Sequence, residues 1–184
     1  MASPFQAYTQ GGIVRGTIEG DDSLEELLQV GPALRLADVT HSLLSGAREE
    51  AVRAEVDRDD LLIVAAEDEG DEESEGTIHS AWHQVALHVG PYRVDGQLAT
   101  LPGFDPGRAL ARPGGEFVLL RGVRVALVDD PTGASDDHGW AWINRYLVER
   151  VRSSIDLLNF FPGAEPEPVT AAAVESPAPS PQAA

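Results

Sequence analysis

Hydrophobic residues along this chain recur mostly at every second position, the period of a strand that buries one face. Val85, Leu87 and Val89 alternate with Gln84, Ala86 and His88, and Gly90-Pro91 then turns the chain into Tyr92 to Leu98. The same pattern runs earlier through Phe5, Ala7 and Thr9, with Gly11-Gly12 as the turn. Helical spacing is confined to short stretches. Ser23-Leu24-Glu25-Glu26 has the spacing of a capping box, in which Ser23 satisfies the amide of Glu26 and Glu26 answers back, and it is followed by inward-facing Leu24, Leu27 and Leu28. Asp105-Pro106 offers a cap and first helical residue for a second short helix that ends at Gly114-Gly115. Further strands are expected near 33–44, 52–65, 117–128 and 140–152. Residues 146–160 carry two signals, because Leu147, Val151, Ile155 and Leu158 stand at helical spacing while the strand pattern reaches Arg152. A strand followed by a short helix from Ser154 to Phe160 reconciles them.

The pattern repeats. Val14-Arg15-Gly16-Thr17-Ile18 lines up with Val94-Asp95-Gly96-Gln97-Leu98 at an offset of 80 residues, and Leu34 to Val39 with Val118 to Val123 at 84. Val56-Asp57-Arg58 then matches Ile143-Asn144-Arg145 at 87. Three blocks in the same order predict two copies of one unit. Their boundaries follow from composition. Residues 67–80 hold seven acids and no base, which predicts a solvated linker, and residues 162–184 are Pro, Ala, Glu and Ser with little to bury, which predicts a disordered tail. The folded segments are then 3–66 and 81–161. A unit of about 65 residues buries only about 60% of its surface, so the copies are expected to pack together.

The pattern Val-x-Gly-x-Ile, then Leu-x-Leu-x-Asp-Val, then an apolar pair with Asp-Arg resembles the small bent β-barrels of the Sm-like class. It is also similar to short bacterial domains of unknown function. The resemblance implies a mostly β fold of two tandem Sm-like β-barrel units, each with a short helix. The chain departs from the Sm pattern where the helix falls between strands. It departs again where Asp57-Arg58 and Asn144-Arg145 stand in place of the Arg-Gly of the RNA-binding loop, so RNA binding is not carried over.

Charge narrows the functional classes. The net charge is −18, with 12 acids against 5 arginines in residues 1–66 but 9 acids against 8 arginines in 81–161. Such a chain repels phosphates on average, and only the second segment escapes that argument. There is no cysteine, which removes disulfides, thiol nucleophiles and thiolate metal sites. With no apolar run of membrane-spanning length and no signal-like start, the chain is expected to be cytoplasmic and free of membrane.

Four groups of residues invite chemistry. Asp129-Asp130-Pro131-Thr132-Gly133-Ala134-Ser135 resembles the Asp-Thr-Gly signature of retroviral-type aspartic proteases, but Pro131 interrupts it, and Asp, Pro and Gly here read as a hairpin loop. His79, His83 and His88 could suggest a metal site, yet on a strand residues four apart lie about 13 Å from each other. Trp140 and Trp142 share one strand face, with Arg145 and Arg150 nearby, and form the candidate binding surface. Stacked aromatics with arginines can hold single-stranded nucleic acid, or the rings can simply cover a core. Phe160-Phe161 is the last apolar feature and is expected to dock a short helix. No catalytic, cofactor-binding or metal residue is predicted. The sequence therefore points to a non-catalytic protein-interaction or regulatory module, with single-stranded nucleic-acid binding by the second segment, or a small-ligand or metal sensor, as the alternatives.

Overall fold

The structure is a computed structural model, and it describes residues 3–20, 22–66, 81–100, 115–130 and 133–167. The expected strands form in chain order as β1 (Ser3–Thr9), β2 (Gly12–Ile18), β3 (Ala33–Leu43), β4 (Arg48–Asp57) and β5 (Ile63–Ala66) in the first half. The second half supplies β6 (Ala81–Val89), β7 (Tyr92–Thr100), β8 (Phe117–Leu127), β9 (Asp136–Asn144) and β10 (Val148–Ser153), and a two-residue strand β11 (Glu165–Pro166) follows. Helix α1 (Leu24–Val30) starts at the expected capping box, with Ser23 Oγ accepting from the Glu26 amide and the Glu26 carboxylate accepting from the Ser23 amide, each at 3.2 Å. Leu28 is its buried contact. None of the helices in the described residues is long and apolar enough to cross a membrane.

All strands join one open sheet in the order β11-β10-β6-β7-β8-β9-β5-β1-β2-β3-β4. This corrects the expectation of two closed barrels. Closing the first half would require β4 to pair with β5, but β5 has only two edges. One pairs with β1 through Ala7↔Val64, and the other with β9 through Ile63↔Ile143 and Val64↔Trp142. The second edge of β5 thus joins the two halves and leaves β4 at the end of the sheet.

The halves share one pairing scheme. Val14↔His41 and Leu36↔Ala54 in the first half correspond to Val94↔Val125 and Leu120↔Ala141 in the second. Both interrupt the ladder at the same place, between Arg15 and Thr17 and between Asp95 and Gln97. Opposite each interruption stands a residue with left-handed backbone, Asp38 at φ 52° and Gly122 at φ 57°. A bulge of this kind bends the strand and raises its twist, which curls each half around its own core.

One core holds Phe5, Val14, Leu34, Leu36 and Val64, and the other holds Val85, Leu87, Val94, Leu120 and Ile143. They interlock at the junction. Tyr8, Leu62 and Ile63 of the first half lie in the second core, and Phe117 of the second half lies in the first. Period two explains the crossing, since Ile63 and Val64 point to opposite faces of β5 and each face meets a different core.

The chain end differs from expectation in two ways. Beyond β10 there is no helix over Ser154 to Phe160. A single turn closed by the amides of Phe160 and Phe161 onto the Leu157 carbonyl, at 2.8 and 3.1 Å, seats Leu157 and Phe161 in the second core. Gly163 then takes a left-handed φ of 90° and the chain returns as β11 alongside β10, so order continues past Pro162 to Glu167. The expected acidic linker at 67–80, the second helix near 105–114 and residues 168–184 lie outside the described residues.

Candidate interaction site

At the junction, β1 and β9 bring together a polar cluster around Tyr8, which is 1% exposed. Its hydroxyl donates to Asp136 Oδ2 at 2.8 Å, accepts from Gln6 Nε2 at 2.9 Å, and lies 2.7 Å from His138 Nε2. A phenol has one proton, and here it goes to the carboxylate, so the imidazole contact requires a proton on Nε2. Arg15 completes the cluster, donating to Gln6 at 2.9 Å and standing 3.7 Å from Asp136. The Tyr8 ring meets Tyr92 edge-on at 5.2 Å between centroids. The Tyr8 hydroxyl thus has three partners, the arrangement that lets a buried polar group fix one geometry, whereas the buried Tyr92 hydroxyl has no protein partner among the described residues.

Burial shifts three of these groups. It lowers the His138 imidazole below its ordinary 6.5, raises Tyr92 to about 12, and raises Tyr8 further, with Asp136 adding to the rise. Below pH 6.5 the unfolded chain takes up a proton that folded His138 resists. Above pH 10 the unfolded chain releases two phenolic protons that the fold retains. Stability is expected to be flat between those values and to fall on both sides. Urea midpoints across pH check this, with Tyr8→Phe giving a shallower alkaline limb; an equally steep limb in that variant would contradict the assignment.

At the corresponding place the first half leaves part of its core face open beside β4. In the second half, Val94, Val123, Ala141 and Ile143 share one core with Tyr8, Ile13 and Leu62 from the first half. The corresponding first-half residues, Val14, Val39, Ala54 and Val56, line an open groove of about 550 Å³. Its rim is acidic, with Glu49, Glu50, Glu55, Asp57 and Asp60. His41 also lines it, and its Nε2 is buried without a protein partner. Along the groove runs β4, a ten-residue edge strand exposed over most of its length, with Val52 at 81%.

The residues singled out from sequence do not converge. Trp140 stands on one face of the second-half sheet with Trp82 at 6.1 Å, and the Arg121 guanidinium lies over both rings at 6.0 and 5.4 Å. Trp142 instead packs against the first core. Arg145 is 2% exposed, stacked at 5.2 Å on Tyr146 and 5.5 Å on Phe160, and donates to the Asn159 carbonyl at 3.3 Å. Burial lowers its pKa. Arg150 lies on β10 opposite Glu165. Of the histidines, His83 contacts the Thr100 hydroxyl at 2.8 Å and His88 approaches Glu167 at 4.0 Å, on opposite faces of β6, while His79 lies outside the described residues. Groups of three or more metal-ligating side chains are absent among the described residues. Around Asp130 the chain turns, its amide bonded to the Leu127 carbonyl at 3.3 Å and its carbonyl to the Gly133 amide at 3.1 Å, as a hairpin loop requires.

Sequence reasoning missed Gln6, Tyr8, Asp136 and His138. The signal present was Tyr8 and Ile13, two large apolar residues on the face of the β1–β2 hairpin opposite Phe5, Ala7 and Val14. Set beside known proteins, the chain matches no family model, no curated protein and no solved structure.

Proposed function

We propose that this chain is a non-catalytic interaction module built from two diverged copies of one β-rich unit, and that its first half receives an extended segment of a protein partner along β4. The observation that carries this reading is the open groove beside a sheet edge, at the place where the second half is filled by Tyr8, Ile13 and Leu62. Adding a strand to such an edge supplies backbone hydrogen bonds, and alternate side chains of the incoming strand enter the groove. The groove sets the chemistry of that strand. Its floor of Val14, Val39, Ala54 and Val56 takes apolar side chains, and its acidic rim takes basic ones.

The probe is a short peptide of alternating valine and arginine, titrated by fluorescence anisotropy against the full chain, with an alternating valine and glutamate peptide as control. The basic peptide is expected to bind and the acidic one not, with the affinity falling at least tenfold in Glu49→Arg/Glu55→Arg and weakening as salt is raised. Equal binding of both peptides, or binding unchanged by the rim substitutions, would overturn the reading.

A further inference from the structure

Strand β5 of the first half is covered along its outer edge by β9. Its counterpart β10, which meets Leu87 through Val151 as β5 meets Ala7 through Val64, is covered instead by two residues of the chain's own end. We infer that β11 is a releasable cover over the β10 edge, and that its release opens that edge to strand β4 of a second copy of this chain. The inference rests on the reading of β4 as a strand receptor.

The cover is small and carries two carboxylates. It pairs Arg150 with Glu165 and Val151 with Pro166, and the Glu167 amide donates to the Val151 carbonyl at 2.8 Å. Glu167 also approaches His88 at 4.0 Å, so the two acids of the cover lie beside Arg150 and His88, themselves register partners between β10 and β6. Strand β4 carries the same kind of charge, with Glu49, Glu50, Glu55 and Asp57 against two arginines.

The internal junction supplies the geometry. Val64 pairs with Trp142 there, and the counterparts of these residues, each at an offset of 87, are Val151 and Glu55. In the same register Arg150 meets Val56 at the acidic groove. Tyr8, bonded to Asp136 within the chain, has His88 as its counterpart, and Asp136 has Glu49. A hydrogen bond inside the chain thus becomes a histidine–carboxylate contact between chains. Such a contact is head-to-tail, which extends to rings or filaments rather than stopping at two copies.

The test uses the full chain carrying Glu165→Arg and Glu167→Arg, which sets an arginine opposite Arg150 and removes the carboxylate beside His88. Hydrogen exchange at the amide of residue 167, taken relative to the intrinsic rate of the residue present, reads release of the cover, and light scattering after size exclusion reads mass. The wild-type chain is expected to be a monomer. The variant is expected to exchange that amide at least tenfold faster, to reach twice the monomer mass or more as concentration rises, and to return to monomer when Glu49→Arg/Glu55→Arg is added. A variant that releases the cover and stays monomeric overturns the inference, as does unchanged exchange at Glu167 or association that survives the β4 substitutions. If the inference fails while the basic peptide still binds, the reading of β4 stands alone; loss of both removes it too.

Discussion

Tyr8→Ala is expected to cost about 3–5 kcal/mol, near the upper end for deletion of a buried large side chain. Two losses combine. The ring leaves the second core, where it packs edge-on against Tyr92, and the two halves lose the largest first-half side chain that crosses between them. The hydroxyl also leaves Asp136, His138 and Gln6 without their shared partner, a smaller loss because all three are only partly buried and Asp136, 41% exposed, can take water instead. Tyr8→Phe separates these terms by keeping the ring and removing only the hydrogen bonds. Urea denaturation of the two variants checks the division, with the alanine variant expected to lose at least twice as much as the phenylalanine one. Equal losses would mean that the ring contributes nothing, contrary to its burial.

Phe161→Ala is expected to lose a similar amount, about 3–5 kcal/mol, because a fully buried ring is removed from the second core. The residue has a further consequence for the chain end. Phe161 is the last core anchor before Gly163 reverses the chain into β11, so the alanine variant is also expected to speed exchange of the Glu167 amide beyond what global destabilisation gives. Thermal unfolding gives the stability, and exchange measured well below the transition gives the local effect. A variant as stable as wild type would show that the turn over 157–161 holds without its anchor.

The strand content, the hairpins and the capped helix could be read from the sequence because each depends on local chemistry. Alternation, Gly-Gly and Gly-Pro turns, and the Ser23–Glu26 box act within a few residues. The offsets of 80, 84 and 87 also reappear in the pairing registers. Sheet closure was not legible, since it depends on which edge takes the four residues Ile63–Ala66, and both edges of that short strand present the same backbone groups. The second face of β1 was missed for a related reason. A strand covered by another strand's core on both sides loses the polar face that makes alternation visible, and Gln6 hides the position of Tyr8. Arginines misled for a different reason: Arg145 is buried beside Tyr146 and Phe160, where a long apolar stem and two rings accept it. The edge groove could be read only from the fold, because its acids are spread from Glu49 to Asp60 among ordinary surface charges.

Backbone hydrogen exchange of the full chain with and without the alternating valine–arginine peptide tests strand reception by β4 most directly. The outward amides of Arg48–Asp57 are expected to slow at least tenfold on peptide addition, with no comparable change in β7 or β8 at the centre of the sheet. Peptide binding that leaves those amides exchanging at their free rate would contradict strand addition at this edge.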